Sequence, residues 1–167
     1  MPNYPVTASA KDETVGSGAN TNGAALVVSF LNSAGGLNSY GRALIDTSAI
    51  GTDVISAATV YWYHDSYSKT KAAAFHRRVQ VNGTAVLESS ATPAAAGWHN
   101  EVLTSGELAL INKTGETEIH FEVDDPGSTY DRTWSVAAWD YGDHSRACYL
   151  VVTHAAAGGP TKFSILR

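Results

Sequence analysis

Apolar and polar residues alternate along this chain in short runs, and turn-forming residues separate the runs. A period of two marks a half-buried strand, because successive side chains point to opposite faces of a sheet. In Glu118-Ile119-His120-Phe121-Glu122-Val123 the apolar residues share one face and the charged or polar ones share the other. In Thr59-Val60-Tyr61-Trp62-Tyr63-His64, Val60 and Trp62 point one way and Tyr61 and Tyr63 the other. That strand is apolar on both sides, so its outer face needs a cover: a loop, another chain or a ligand. From Arg132 onward, Trp134, Val136 and Ala138 share a face and Trp139 falls on the opposite one. No window of a dozen residues carries apolar side chains at helical spacing.

The pattern predicts about nine strands, near residues 24–30, 40–46, 57–65, 73–81, 85–88, 98–103, 116–123, 132–140 and 147–153. Asn82-Gly83 fits a two-residue hairpin turn, since both residues tolerate positive φ. Thr104-Ser105-Gly106-Glu107 has capping-box spacing ahead of one short helical turn, with Gly106 weakening that turn. Many short strands at this spacing define an all-β fold: a single-domain antiparallel sandwich or barrel.

The chain has 167 residues, enough for one domain with one core. Its single cysteine, Cys148, allows no internal disulfide. It lies in the apolar run Ala147 to Val152 and reads as a small buried hydrophobe. The formal net charge is −5, and the 11 basic residues are scattered, which leaves no footprint for nucleic acid. No stretch is apolar for the length of a membrane span. The N-terminus, Met1-Pro2-Asn3-Tyr4-Pro5, lacks the basic start, apolar middle and cleavage site of an export signal. The chain is therefore expected to be a complete product used without export, unless a signal has been removed. Residues 1–6 are expected to form an extended arm, 7–154 the sandwich, and 155–167 a linker and C-terminal arm.

Candidate chemistry is sparse. The six histidines, His64, His76, His99, His120, His144 and His154, fall on different elements and show no metal-ligand spacing. Neither a nucleophile elbow nor a phosphate-cradling glycine loop occurs. Glu101, Glu107, Glu122 and Asp140 are accounted for by solvated faces. These absences point away from an enzyme and from a cofactor. The loop holding Asp124, Asp125 and Asp131 offers three carboxylates within eight residues. A calcium site there competes with an ordinary acidic turn, and the regular spacing of a calcium hand is missing. The remaining clue is aromatic: four tryptophans and eight tyrosines. Trp62 and Trp134 read as core. Trp98 and Trp139, with Tyr61, Tyr63 and Tyr141, are candidates for stacking on a sugar or anchoring an interface. Phe163, Ile165 and Leu166 are candidate contacts of the C-terminal arm.

Four ordered segments carry a family resemblance. They are Asp12 to Val15 followed by Asn20 to Gly23; Arg42 to Ile50 followed by Ile55 to Tyr63; Gly97-Trp98 with Val102-Leu103-Thr104; and Arg146 to Thr153. Together they resemble the DNRLRE-type domains over about residues 7–154. The resemblance implies a jelly-roll-like β-sandwich, similar to carbohydrate-binding modules, of a kind found in secreted or surface proteins and in phage structural proteins. It carries over no catalytic residues, and fold likeness alone does not assign function. The resulting expectation is a viral structural protein: a phage capsid-decoration or tail component, located in the virion and contacting copies of itself or other virion proteins. The alternative is a glycan-binding or adhesion module, extracellular or at a cell surface.

Overall fold

The structure, a computed structural model, describes residues 12–16, 25–31, 37–69, 76–91, 95–124, 132–137 and 146–166. Eleven strands occur among them: β1 (Asp12–Gly16), β2 (Ala25–Leu31), β3 (Leu37–Asp46), β4 (Val54–Lys69), β5 (His76–Val81), β6 (Thr84–Ser89), β7 (Gly97–Val102), β8 (Glu116–Asp124), β9 (Arg132–Ala137), β10 (Tyr149–Ala155) and β11 (Lys162–Leu166). The protein is an all-β antiparallel sandwich. Each of the nine strands expected from alternation overlaps an observed one. The two additions, β1 and β11, lie nearest the ends of the chain.

The hydrogen-bonded order is β11-β10-β4-β9-β2-β3-β8-β5-β6, with β1 on β3 and β7 on β4. β4, with 16 residues, serves both layers. Its N-terminal half pairs with β10 and its middle with β7, which builds the layer β7-β4-β10-β11. From His64 onward it pairs with β9, and β9 leads through β2 to β3, β8 and β5. The ladder therefore folds over on itself. Trp62 of β4 meets Phe121 of β8, four strands away along the ladder, at 6.2 Å between ring centroids, and Phe121 meets Trp134 of β9 edge-on at 5.7 Å.

The alternation read in the sequence sorts the core. Val60, Trp62, Leu150 and Val152 come from one layer, and Ala43, Ile45, Val79, Val81, Ile119 and Phe121 from the other. Each large side chain taken fully from water contributes about 1.5–3 kcal/mol. Cys148 is buried, as its apolar run implied.

Turns fix the ends of the strands. Asn82 and Gly83 both have positive φ, 45° and 80°, and close the β5–β6 hairpin. The Asn82 side chain also accepts from the Glu118 N–H and donates to the Leu110 carbonyl, so the hairpin tip is tied to its surroundings. The capping-box residues meet as well. Glu107 accepts from both the backbone N–H and the hydroxyl of Thr104, and a 3₁₀ turn over Glu107–Leu110 follows. Buried Thr47 donates to the carbonyls of Asn112 and Gly115 and contacts the Thr117 hydroxyl, pinning the turn before β4 to the one before β8.

The C-terminal end differs from the expected arm. After an exposed turn at residues 156–161, β11 folds back and pairs with β10 from Leu150↔Leu166 to His154↔Lys162. The cause is its own alternation. Leu166 is buried in the core, while Phe163 and Ile165 point outward. Five residues in a strand are too few for that pattern to stand out beside an Ala/Gly/Pro linker.

Candidate functional site

The outer face of the β7-β4-β10-β11 layer is the first candidate. Because Val60 and Trp62 face the core, Tyr61 and Tyr63 must face out. The register then sets their neighbours: Tyr63 opposite Trp98, Tyr61 opposite Asn100 and Thr59 opposite Val102 on β7, with Tyr149 opposite Tyr61 on β10. Beyond β10, Ile165 pairs with Val151 and Phe163 with Thr153.

The rings pack on one another. Tyr61 and Tyr149 stack at 4.8 Å with 5° between their planes. Trp98 lies edge-on to both Tyr63, at 5.6 Å, and Tyr149, at 5.4 Å. The Arg146 guanidinium sits 4.4 Å from the Tyr63 ring centre, a cation–π contact. Large apolar side chains stay in water at the margins: Trp98 is 45% exposed, Val102 62%, Phe163 63% and Ile165 37%.

Of the aromatic and apolar candidates read from the sequence, Tyr61, Tyr63, Trp98, Phe163 and Ile165 thus share one face. Leu166 does not; it is 3% exposed and belongs to the core. Trp139 and Tyr141 lie outside the described residues. Asp124 ends β8, and Asp125 and Asp131 lie outside the described residues, so the calcium reading gains no geometry. No cluster of three or more metal-ligating side chains occurs among the described residues. Tyr149, Arg146 and Val102 are members of the face that sequence reasoning missed. Their places depend on strand register, which alternation does not encode.

A second arrangement brings together residues far apart in the chain. Asp53, just before β4, is buried. Its Oδ2 lies 2.8 Å from His154 Nδ1 on β10 and 2.9 Å from the Lys162 ammonium on β11. His154 Nε2 is in turn 2.9 Å from Ser164 Oγ on β11. A bulge makes this possible. β4 carries an extra residue at Ser56, so His154 sits opposite Ile55 and both face inward. Hydrogen bonds from Lys162 and then His154 hold the Asp53 carboxyl below its ordinary pKa, outweighing the opposing effect of desolvation.

His64, His99 and His120 make other contacts, and His144 lies outside the described residues. His64 is buried and accepts from the Trp134 indole N–H at 3.1 Å. His99 stacks on Trp62 and is pushed down in pKa by burial and then by the Arg77 charge. His120 is likewise depressed, mainly by burial. A cavity of about 350 Å³ opens between the start of β4 and the 3₁₀ turn, lined by Val54, Ile55, Leu108, Ala109, Ile111 and Lys113. The Lys113 ammonium donates to the Asp53 carbonyl, so the one charged group of the lining is already engaged.

Fold and site together define an antiparallel β-sandwich with one apolar, aromatic sheet face. No family model matches the sequence, and no curated protein matches it. Among solved structures the chain is similar to the pilus backbone RrgB from Streptococcus pneumoniae, with 18% identity and a TM-score of 0.32 over 90% of this chain and 53% of that one. The chain thus spans about half the length of that protein. A likeness at this level carries no argument about function.

Proposed function

We propose that the protein is a structural component that assembles through the outer face of the β7-β4-β10-β11 layer, contacting copies of itself or other proteins of the same particle. The supporting observation is the contiguous apolar relief of Trp98, Val102, Ile165 and Phe163 around Tyr61, Tyr63 and Tyr149. Exposed apolar surface of this kind marks an interaction site. Rigid aromatic anchors are also the side chains that dominate protein interfaces. The ring geometry favours a protein partner over a sugar. Tyr61 and Tyr149 each give one ring face to the other and Trp98 lies edge-on to Tyr149, so the rings form a packed relief rather than a flat platform. The resemblance to DNRLRE-type domains supports a phage virion as the setting, as a capsid-decoration or tail protein. Terminal arms are no longer part of this reading at the C-terminal end, where β11 belongs to the sheet.

Native mass spectrometry and light scattering across a concentration series test the proposal. The native chain should self-associate or bind particles, and Trp98→Asp or Phe163→Asp should abolish it. A native chain that stays monomeric and binds no particle overturns it. Glycan binding is the second reading, favoured by the exposed Trp98 indole beside exposed Asn100. It requires tryptophan fluorescence to change on polysaccharide addition, and that change to vanish in Trp98→Ala.

A further inference from the structure

The Asp53–His154–Ser164 chain has no part in assembly through the aromatic face, yet its order is that of an acid, a base and a hydroxyl. An ionised Asp53 has no proton to give, so His154 Nδ1 carries one and donates it to Oδ2. In the neutral ring Nε2 is then the acceptor, and the Ser164 hydroxyl must be the donor. A hydroxyl whose proton already points at an imidazole nitrogen, with that imidazole oriented by a buried carboxylate, is the arrangement that activates serine as a nucleophile. Both contacts, 2.8 and 2.9 Å, are within the reach that proton transfer requires.

We propose that Ser164 is an activated nucleophile that accepts acyl groups from small esters, with His154 as its general base and Asp53 as the positioning residue.

The location sets the substrate class. Ser164 is half-buried on β11, which pairs with β10 alone among the described residues, so approach is from the open edge of the layer. A half-buried hydroxyl at a sheet edge is reached most readily by a small acyl carbonyl, and small esters are therefore the class proposed. Lys162 lies two residues earlier on the same face of β11, and its ammonium is bonded to the Asp53 carboxylate. In the first step Ser164 Oγ bonds to the carbonyl carbon while its proton passes to His154 Nε2. The adduct then collapses, the ester C–O bond breaks, and the leaving alkoxide takes that proton and departs as the alcohol. Water repeats the sequence on the acyl-serine, releasing the carboxylic acid and restoring the hydroxyl.

The test uses the intact chain, with a fluorophosphonate and p-nitrophenyl acetate as probes and peptide mapping to locate the adduct. The expected result is modification concentrated at Ser164, at about 100-fold the rate of the other serines, since a positioned base supplies at least that factor. The adduct should be absent in Ser164→Ala and slowed about 100-fold in His154→Gln, with both variants still melting cooperatively. Asp53→Asn should slow labelling as well. The concentration of label at Ser164 in the native chain is itself a readout, so the proposal does not depend on variants that fail to fold. Label spread evenly over serines, or acylation confined to the Lys162 amine, would each reduce the three residues to a structural hydrogen-bond chain.

Discussion

The two layers of the sandwich turn different faces outward. On β3, β8, β5 and β6 the outer face is a charged lattice. Arg78 bonds Glu88 at 2.8 Å and Glu122 at 3.0 Å, Gln80 joins Glu122, and Arg42 lies 3.7 Å from Glu118. Burial works against the charge on Arg78, yet the two carboxylates raise its pKa overall. On β7, β4, β10 and β11 the same positions hold Trp98, Val102, Tyr61, Tyr63, Tyr149, Ile165 and Phe163. Both faces top the same core, so stability does not explain the contrast. Water satisfies the charged face. The aromatic face gains by leaving water, and that asymmetry is what an interaction surface requires.

The comparison can be broken most severely from below. Trp62→Ala removes the floor shared by both layers and should cost about 3–5 kcal/mol in denaturant unfolding. Replacing Tyr61 and Trp98 together by Ala should separate the faces, weakening association by about tenfold or more. Arg78→Ala should leave association unchanged, measured by sedimentation at equal protein concentration.

The acid limb of the stability curve sharpens the picture next. His120 and His99 titrate below 6.5 in the folded state, so the unfolded chain binds more protons there and stability falls as pH drops through that range. Asp53, held below 3.8, adds a second loss at lower pH, and Asp53→Asn should erase that second stage in thermal melts taken across the pH range. The smallest effect is expected on the charged face. Glu122→Gln should change stability by less than about 1 kcal/mol, since exposed pairs contribute little.

Much of the fold was legible from local pattern. Val60 and Trp62 inward with Tyr61 and Tyr63 outward follows from alternation, and the Asn82-Gly83 turn follows from backbone preference. Alternation does not encode register, however. Nothing near Tyr149 announces that it will stack on Tyr61, and nothing near Asp53 announces His154, 101 positions away. β4 also runs past its expected end at Asp65 to Lys69. Its polar residues there are held by pairing to β9, a tertiary cause invisible in the segment itself. The aromatic face was half-visible for the same reason: the residues of each strand could be assigned a side, but not a neighbour.

β4 also sets the tempo of folding. Its partners β7, β9 and β10 all follow it in the chain, and β10 must travel from Tyr149 back to Tyr61 to close its ladder. Contacts of such separation form slowly, because the closure entropy is spent before the pairing rewards it. Refolding should thus take milliseconds to seconds, with β4 exposing an unpaired tyrosine- and tryptophan-rich strand throughout. The strand that builds the aromatic face is also the one that most needs shielding while the chain is incomplete.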